Sequence, residues 1–160
     1  MNTKIFLYSY HHRNTKKVCD SMALILRAAV VELPKSGTIE SGDLSGCDLI
    51  GFGAGIDKGK HYKQLIRFAE NLPEYNGKKA FIFSTAGIYK EKKMYKDHKA
   101  LRNILLAKGF KIVGEFSCLG HDSIILFKWF GGINKGRPNA EDLARAETFA
   151  KCLIEKGKAQ

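Results

Sequence analysis

Short apolar runs alternate along this chain with stretches in which apolar residues recur every three or four positions. Residues 3–8 end in Ile5-Phe6-Leu7-Tyr8 and predict a strand buried on both faces. Val18, Cys19, Met22, Ile25, Leu26 and Ala29 then mark the buried side of a helix, which Asn14 or Thr15 is placed to cap. Val30-Val31-Glu32-Leu33 reads as a second strand closed by Pro34, and the polar segment Lys35–Ser45 as a loop. Cys47–Gly53 reads as a third strand, running into a loop with glycine at 51, 53, 55 and 59. Tyr62, Leu65, Ile66 and Ala69 describe a second helix that stops before Pro73. Lys79–Phe83 predicts a fourth strand, and Leu101, Ile104 and Leu105 a helix ended by Gly109. Phe110–Phe116 predicts the fifth strand. Asn139 caps a last helix, with Glu141 and Asp142 at its positive end and Leu143, Ala146, Phe149, Ala150 and Leu153 on its buried side.

Five strands interleaved with four helices predict an α/β fold: a doubly wound three-layer sandwich over a five-stranded parallel sheet, one domain spanning 1–160. The pattern gives no assignment for Ser117–Pro138, which holds the chain's one tryptophan, Trp129, before a Gly131-Gly132 pair. No run approaches the ~20 apolar residues of a membrane span, and Ile5–Tyr8 is too short for a signal-peptide core. A cytoplasmic protein is expected. Cys19, Cys47, Cys118 and Cys152 form no Cys-x-x-Cys pair, so neither a zinc site nor a dithiol motif is legible. The formal charge of +11 bears on partners. Because the lysines are dispersed, nucleic acid is not the expected partner.

In an open α/β sheet the strand-to-helix loops share the carboxyl edge, where ligands bind beside the reversal of strand order. Ser9, Asn14 and Thr15 offer hydrogen-bond donors beside a helix start, His11, His12 and Arg13 offer positive charge, and the set suits a phosphomonoester. The loop has no Walker pattern, no Gly-x-Gly-x-x-Gly, and no cysteine or aspartate between Ser9 and Thr15 to act as nucleophile. It reads as a site that holds phosphate without attacking it. Gly53, Ala54, Gly55 and Gly87 permit close backbone approach to a flat ring, Ser84 and Thr85 can bond its edge, and Ile56 or Tyr89 can cover a face.

With Ser9–Lys16, Asp48–Ile56, Phe83–Gly87 and Gly136–Asn139 in this order, the chain resembles the flavodoxin family, specifically its short single-domain members. The resemblance covers nearly the whole chain and implies a sheet of order 2-1-3-4-5 and one non-covalent FMN. It places Ser9, His11, His12, Arg13, Asn14 and Thr15 around the phosphate. It sets Ala54, Gly55 and Ile56, with Ser84, Thr85, Ala86 and Gly87, beside the isoalloxazine. Three departures stand out: Arg13 where members often have glycine, no tryptophan in the loop after strand three, and a basic rather than acidic charge. Cys118, Leu119 and Gly120 end strand five on the same edge and could approach the ring. The implied function is electron transfer, with acidic redox proteins as the partners that the charge would attract. The alternative is an FMN-dependent oxidoreductase acting on a quinone-like or other small redox substrate, with Trp129 and Phe130 walling its pocket.

Overall fold

The structure, a computed structural model, describes residues 1–122 and 132–158. Trp129 and Phe130 lie outside the described residues. Strands β1 (Thr3–Tyr8), β2 (Ala29–Glu32), β3 (Leu49–Asp57), β4 (Lys60–His61), β5 (Lys79–Ala86) and β6 (Lys111–Leu119) are joined by helices α1 (Asn14–Leu26), α2 (Lys63–Glu70), α3 (Glu91–Ala107) and α4 (Ala140–Lys158). The sheet order is β2-β1-β3-β5-β6, all parallel, with the two-residue β4 folded back antiparallel on β3. Counting parallel strands alone, this is the expected 2-1-3-4-5. β4 is an addition that two residues, Lys60 and His61, could not announce by periodicity.

Three strands outrun their expected ends, because residues read as turn chemistry continue the ladder. Ala54–Asp57 prolong β3, Ser84–Ala86 prolong β5, and Ser117–Leu119 prolong β6. Small residues there serve packing as well as close approach. Gly51 pairs with Phe81 and Gly53 with Phe83 across β3 and β5. A Cβ on either glycine would lie 2.4 or 2.1 Å from the opposing phenyl ring. The glycines therefore make room for two fully buried aromatics.

The core has two layers. Phe6, Phe52, Phe68, Ile82 and Leu101 pack the α2–α3 side, and Ile5, Leu7, Met22, Phe81, Ala146 and Leu153 the α1–α4 side. Ala29 does not lie on the buried side of α1 as expected: the helix stops at Leu26, and Ala29 opens β2 and is exposed. Cys19 and Cys118 are buried, and burial pushes both thiols up to about 12. The α4 cap is as expected and is reciprocated: Asn139 Oδ1 accepts from Asp142 N–H at 3.1 Å, and Asp142 Oδ2 accepts from Asn139 N–H at 3.0 Å. The crossing from β2 to β3 contains no helix. Leu33 and Leu44 anchor it in the core, and Lys78 Nζ donates to the carbonyls of Leu44, Ser45 and Cys47 at 2.7, 2.9 and 2.9 Å.

Candidate functional site

The strand order reverses between β1 and β3, and above that point the carboxyl ends of β1, β3, β5 and β6 frame a cleft. Its empty space is about 390 Å³, open solvent included, so it is a cleft open to solvent and not an enclosed cavity. The amino end of α1 forms one wall. Tyr10 and a single 3-10 turn, His11–Arg13, lead into it, with His12 and Arg13 both left-handed at φ 50° and 54°. Neither Asn14 nor Thr15 caps α1, as the sequence had suggested. Both are already helical, and Ser9 Oγ instead accepts from Lys16 N–H at 3.1 Å. The two left-handed residues carry the chain round far enough for Ser9 to reach back.

Asn14 and Thr15 are buried and line the cleft. Thr15 Oγ1 lies 2.9 Å from Thr85 Oγ1, so one hydroxyl of α1 meets one of β5 on the cleft floor. Asn14 Nδ2 donates to the His121 carbonyl at 2.8 Å, while its Oδ1 is buried without a partner. A buried acceptor left in this state is costly unless a ligand donor meets it. Opposite, Gly55, Ile56, Ala86 and Gly87 complete the lining together with Tyr62. A Cβ on Gly55 would stand 2.7 Å from the Tyr62 ring, and one on Gly87 2.9 Å from Asp122 Oδ2, so both glycines sit where side chains already crowd. Tyr62 Oη shares a 2.8 Å hydrogen bond with His11 Nδ1, closing the mouth between the first and second loops. Burial, reinforced by Asp57 and Asp122, pushes the Tyr62 phenol up to about 12, so it remains protonated. His12 stacks on His121 with centroids 4.2 Å apart. Burial first, then His121 and His11, hold His12 below the ordinary imidazole value, against the opposing pull of Asp122.

The remaining candidates lie elsewhere. Arg13 forks onto Glu32 at the end of β2, at 2.9 and 2.8 Å, and does not line the cleft. Period-two alternation turns the side chains of Ala54 and Ser84 to the far face of the sheet, where Ala54 packs in the α2–α3 core. Ser84 Oγ there meets His98 and Ser117. Tyr89 is drawn toward α4 beneath the Arg145 guanidinium, 5.2 Å above its ring. The sequence reading missed Tyr10, Tyr62, His121 and Asp122 in the lining, and set Gly120 only among three residues able to approach the ring from the same edge. Gly120 is the informative one: its Cβ would lie 2.9 Å from Asn14 Nδ2 and 3.2 Å from Thr85 Cβ. Its signal was its place just past a strand on the carboxyl edge, in a segment that periodicity did not assign.

The sequence signature of the flavodoxin domain matches residues 5–152. The chain belongs to the flavodoxin domain family. An uncharacterized protein from Methanocaldococcus jannaschii is 43% identical over 155 residues, covering 97% of this chain and 99% of its own. Among solved structures, a flavodoxin described as WrbA-like from Agrobacterium tumefaciens superposes with a TM-score of 0.69 at 13% identity. That match covers 99% of both chains. The Streptococcus pneumoniae flavodoxin gives 0.68 at 18% identity, covering 96% of this chain and 99% of its own. At those identities the likeness concerns the fold alone.

Flavodoxin domains imply a flavin, typically FMN, and the cleft of this chain suits one chemically. The positive amino end of α1 answers a phosphate, with Asn14 N–H already donating to the His11 carbonyl and Lys16 N–H to Ser9 Oγ. Paired threonine hydroxyls and the orphaned Asn14 Oδ1 answer a polyol tail, and glycine-backed walls answer a flat ring.

Proposed function

We propose that this protein binds FMN in the carboxyl-edge cleft and works as an electron-transfer protein, with acidic redox proteins as its partners in the cytoplasm. The observation that carries the reading is the convergence of the α1 amino end, the Thr15–Thr85 hydroxyl pair and the unpartnered Asn14 Oδ1 on one cleft in a flavodoxin domain. His11, Asn14 and Thr15 would hold the phosphate end and the tail. Gly55, Ile56, Thr85, Ala86, Gly87 and Tyr62 would flank the ring. FMN, when bound, supplies the one- and two-electron chemistry. The chain's own residues bind it, keep water from one side and set the charge around it. Tyr62, as a protonated phenol tied to His11, presents a neutral donor and an aromatic edge at the mouth.

The basic surface separates this chain from an acidic relative. Positive charge favours the more negative reduced form, although surface charges are screened over ~10 Å at ordinary salt. The reduced form should therefore be reached at a less negative potential than in an acidic relative under matched conditions. The same charge steers acidic partners, so transfer rates should fall as salt rises.

The test is an absorption spectrum of purified protein before and after FMN, followed by a fluorescence titration and a redox titration. A flavin spectrum with saturable one-to-one binding supports the reading. Protein that stays colourless in excess FMN defeats it. Turnover of quinones with NAD(P)H would move the assignment to an oxidoreductase.

A further inference from the structure

Behind β5, on the face of the sheet turned away from the cleft, lies a cluster of polar side chains that ligand binding does not use. Ser84, His98 and Ser117 are buried, and the Glu115 side chain is only 8% exposed. His98 Nδ1 is 2.8 Å from Glu115 Oε2, and His98 Nε2 is 2.8 Å from Ser84 Oγ. Ser84 donates its own proton to Ser117 Oγ at 2.9 Å. Arg102 closes the cluster by donating to both oxygens of Glu115, at 2.5 and 2.7 Å.

Donors can be counted. Glu115 is an ionised, acceptor-only group. Although burial opposes it, the hydrogen bonds from His98 and Arg102 hold its carboxyl at about 2. His98 Nδ1 must therefore carry a proton. Ser84 has one proton and gives it to Ser117, so at the other nitrogen Ser84 accepts and His98 Nε2 must also carry a proton. Both contacts are satisfied together when the ring is doubly protonated.

We propose that His98 stands as an imidazolium in the resting protein, a buried positive charge behind the cleft that favours the more negative, reduced form of bound flavin. Arg102 and Glu115 cancel one another, so the His98 proton decides whether the cluster is neutral or carries one positive charge. The other charged or titratable neighbours are His61 on β4, with its ring 4.7 Å from His98, and the Lys93–Asp97 pair one turn earlier on α3. Burial, and then His98 itself, keep His61 well below the ordinary imidazole range, so it stays neutral. Thr85, next to Ser84 on the strand, faces the cleft and marks how thin the wall is. His98 touches no ligand, which makes it an electrostatic positioning residue. For a ring about 10 Å from His98, one unit charge at an effective dielectric constant of about 20 would correspond to roughly a tenfold affinity ratio.

The proposal rests on the flavin reading, and two measurements keep the two apart. The first is a long-range proton–nitrogen correlation spectrum of ¹⁵N-labelled protein at pH 7 without FMN. Two protonated ring nitrogens on His98 are expected, and one bare nitrogen overturns the imidazolium. The second compares FMN affinity in the oxidised and reduced states for wild type and His98→Gln. The expected change is within threefold for the oxidised form and about tenfold weaker for the reduced form. Equal changes in both overturn the electrostatic role. Should His98→Gln not fold, wild type suffices: the reduced-to-oxidised affinity ratio must fall about tenfold across the pH interval in which the spectrum shows His98 losing its proton. A flat ratio there also overturns the role. Wild type that takes up no FMN overturns the flavin reading and the electrostatic role together, while the spectrum still decides the imidazolium.

Discussion

Arg13→Gly separates two roles for the residue that precedes α1. A free guanidinium on a phosphate would make charge-assisted hydrogen bonds of about 1.5–3 kcal/mol, so its loss would weaken FMN binding about 10- to 150-fold. The structure engages that guanidinium with Glu32, so the affinity of Arg13→Gly should stay within about threefold of wild type. Stability should also move little. Releasing a left-handed arginine at φ 54° gains roughly 1–2 kcal/mol. Against this, glycine's added freedom in the unfolded chain costs roughly 0.5–1 kcal/mol. The lost ion pair, with its side chains 51% and 42% exposed, costs roughly 0.2–1 kcal/mol more. These offset to within about 1 kcal/mol. The assay is a flavin-fluorescence titration at low and high salt beside a urea melt, with Glu32→Gln as the control that unties Arg13 without removing it. A loss of tenfold or more in Arg13→Gly, largest at low salt, would refute the assignment of Arg13 to Glu32.

Gly109→Ala should destabilise the fold by roughly 3 kcal/mol, since φ is +80° and the new Cβ would meet the Tyr75 carbonyl oxygen at 1.7 Å. A urea-melt difference below about 1 kcal/mol would contradict this. Gly120→Ala should weaken FMN binding about tenfold and lower the melting temperature of the ligand-free protein by about 2–4 °C, because Asn14 must release the His121 carbonyl to admit the methyl. Unchanged affinity would remove Asn14 from the site. His61 is neutral in the folded state and protonates in the unfolded chain below its usual 6.5. Over that window the unfolded state binds more protons, so stability should fall as pH drops below 6.5, by at most about 1.4 kcal/mol per pH unit from this group. Thermal melts of His61→Phe should lack that component, and an identical pH slope in both proteins would exclude it.

The layer order was legible because apolar runs and three-to-four spacing report burial directly. Strand ends were not, because Ala54–Asp57 and Ser84–Ala86 are residue types that serve equally in a turn and in a ladder between glycine-spaced partners. The first loop's residues were legible as a group, but which of them face a ligand depended on two consecutive left-handed residues. Those swing Arg13 onto Glu32 and bring Ser9 to the helix end. No local pattern encodes that. Tyr62 read as one more apolar position of α2, and only the fold-back of β4 on β3 carries it to the cleft mouth. The Ser84–His98–Glu115 cluster joins residues 31 positions apart and has no sequence signature.

The helix-free crossing between β2 and β3 leaves this protein an unusually permissive point for protein engineering. Residues Glu40, Gly42 and Asp43 are exposed, the crossing is held by buried Leu33 and Leu44 and by one lysine ammonium, and Ser41 beside them accepts from Lys4 Nζ near the amino end of β1, the sheet edge opposite the cleft. Lengthening such a loop costs only about 0.6 kcal/mol per doubling. A reporter peptide or a binding epitope spliced there should leave the cofactor pocket undisturbed, provided Leu33, Leu44 and Lys78 are kept.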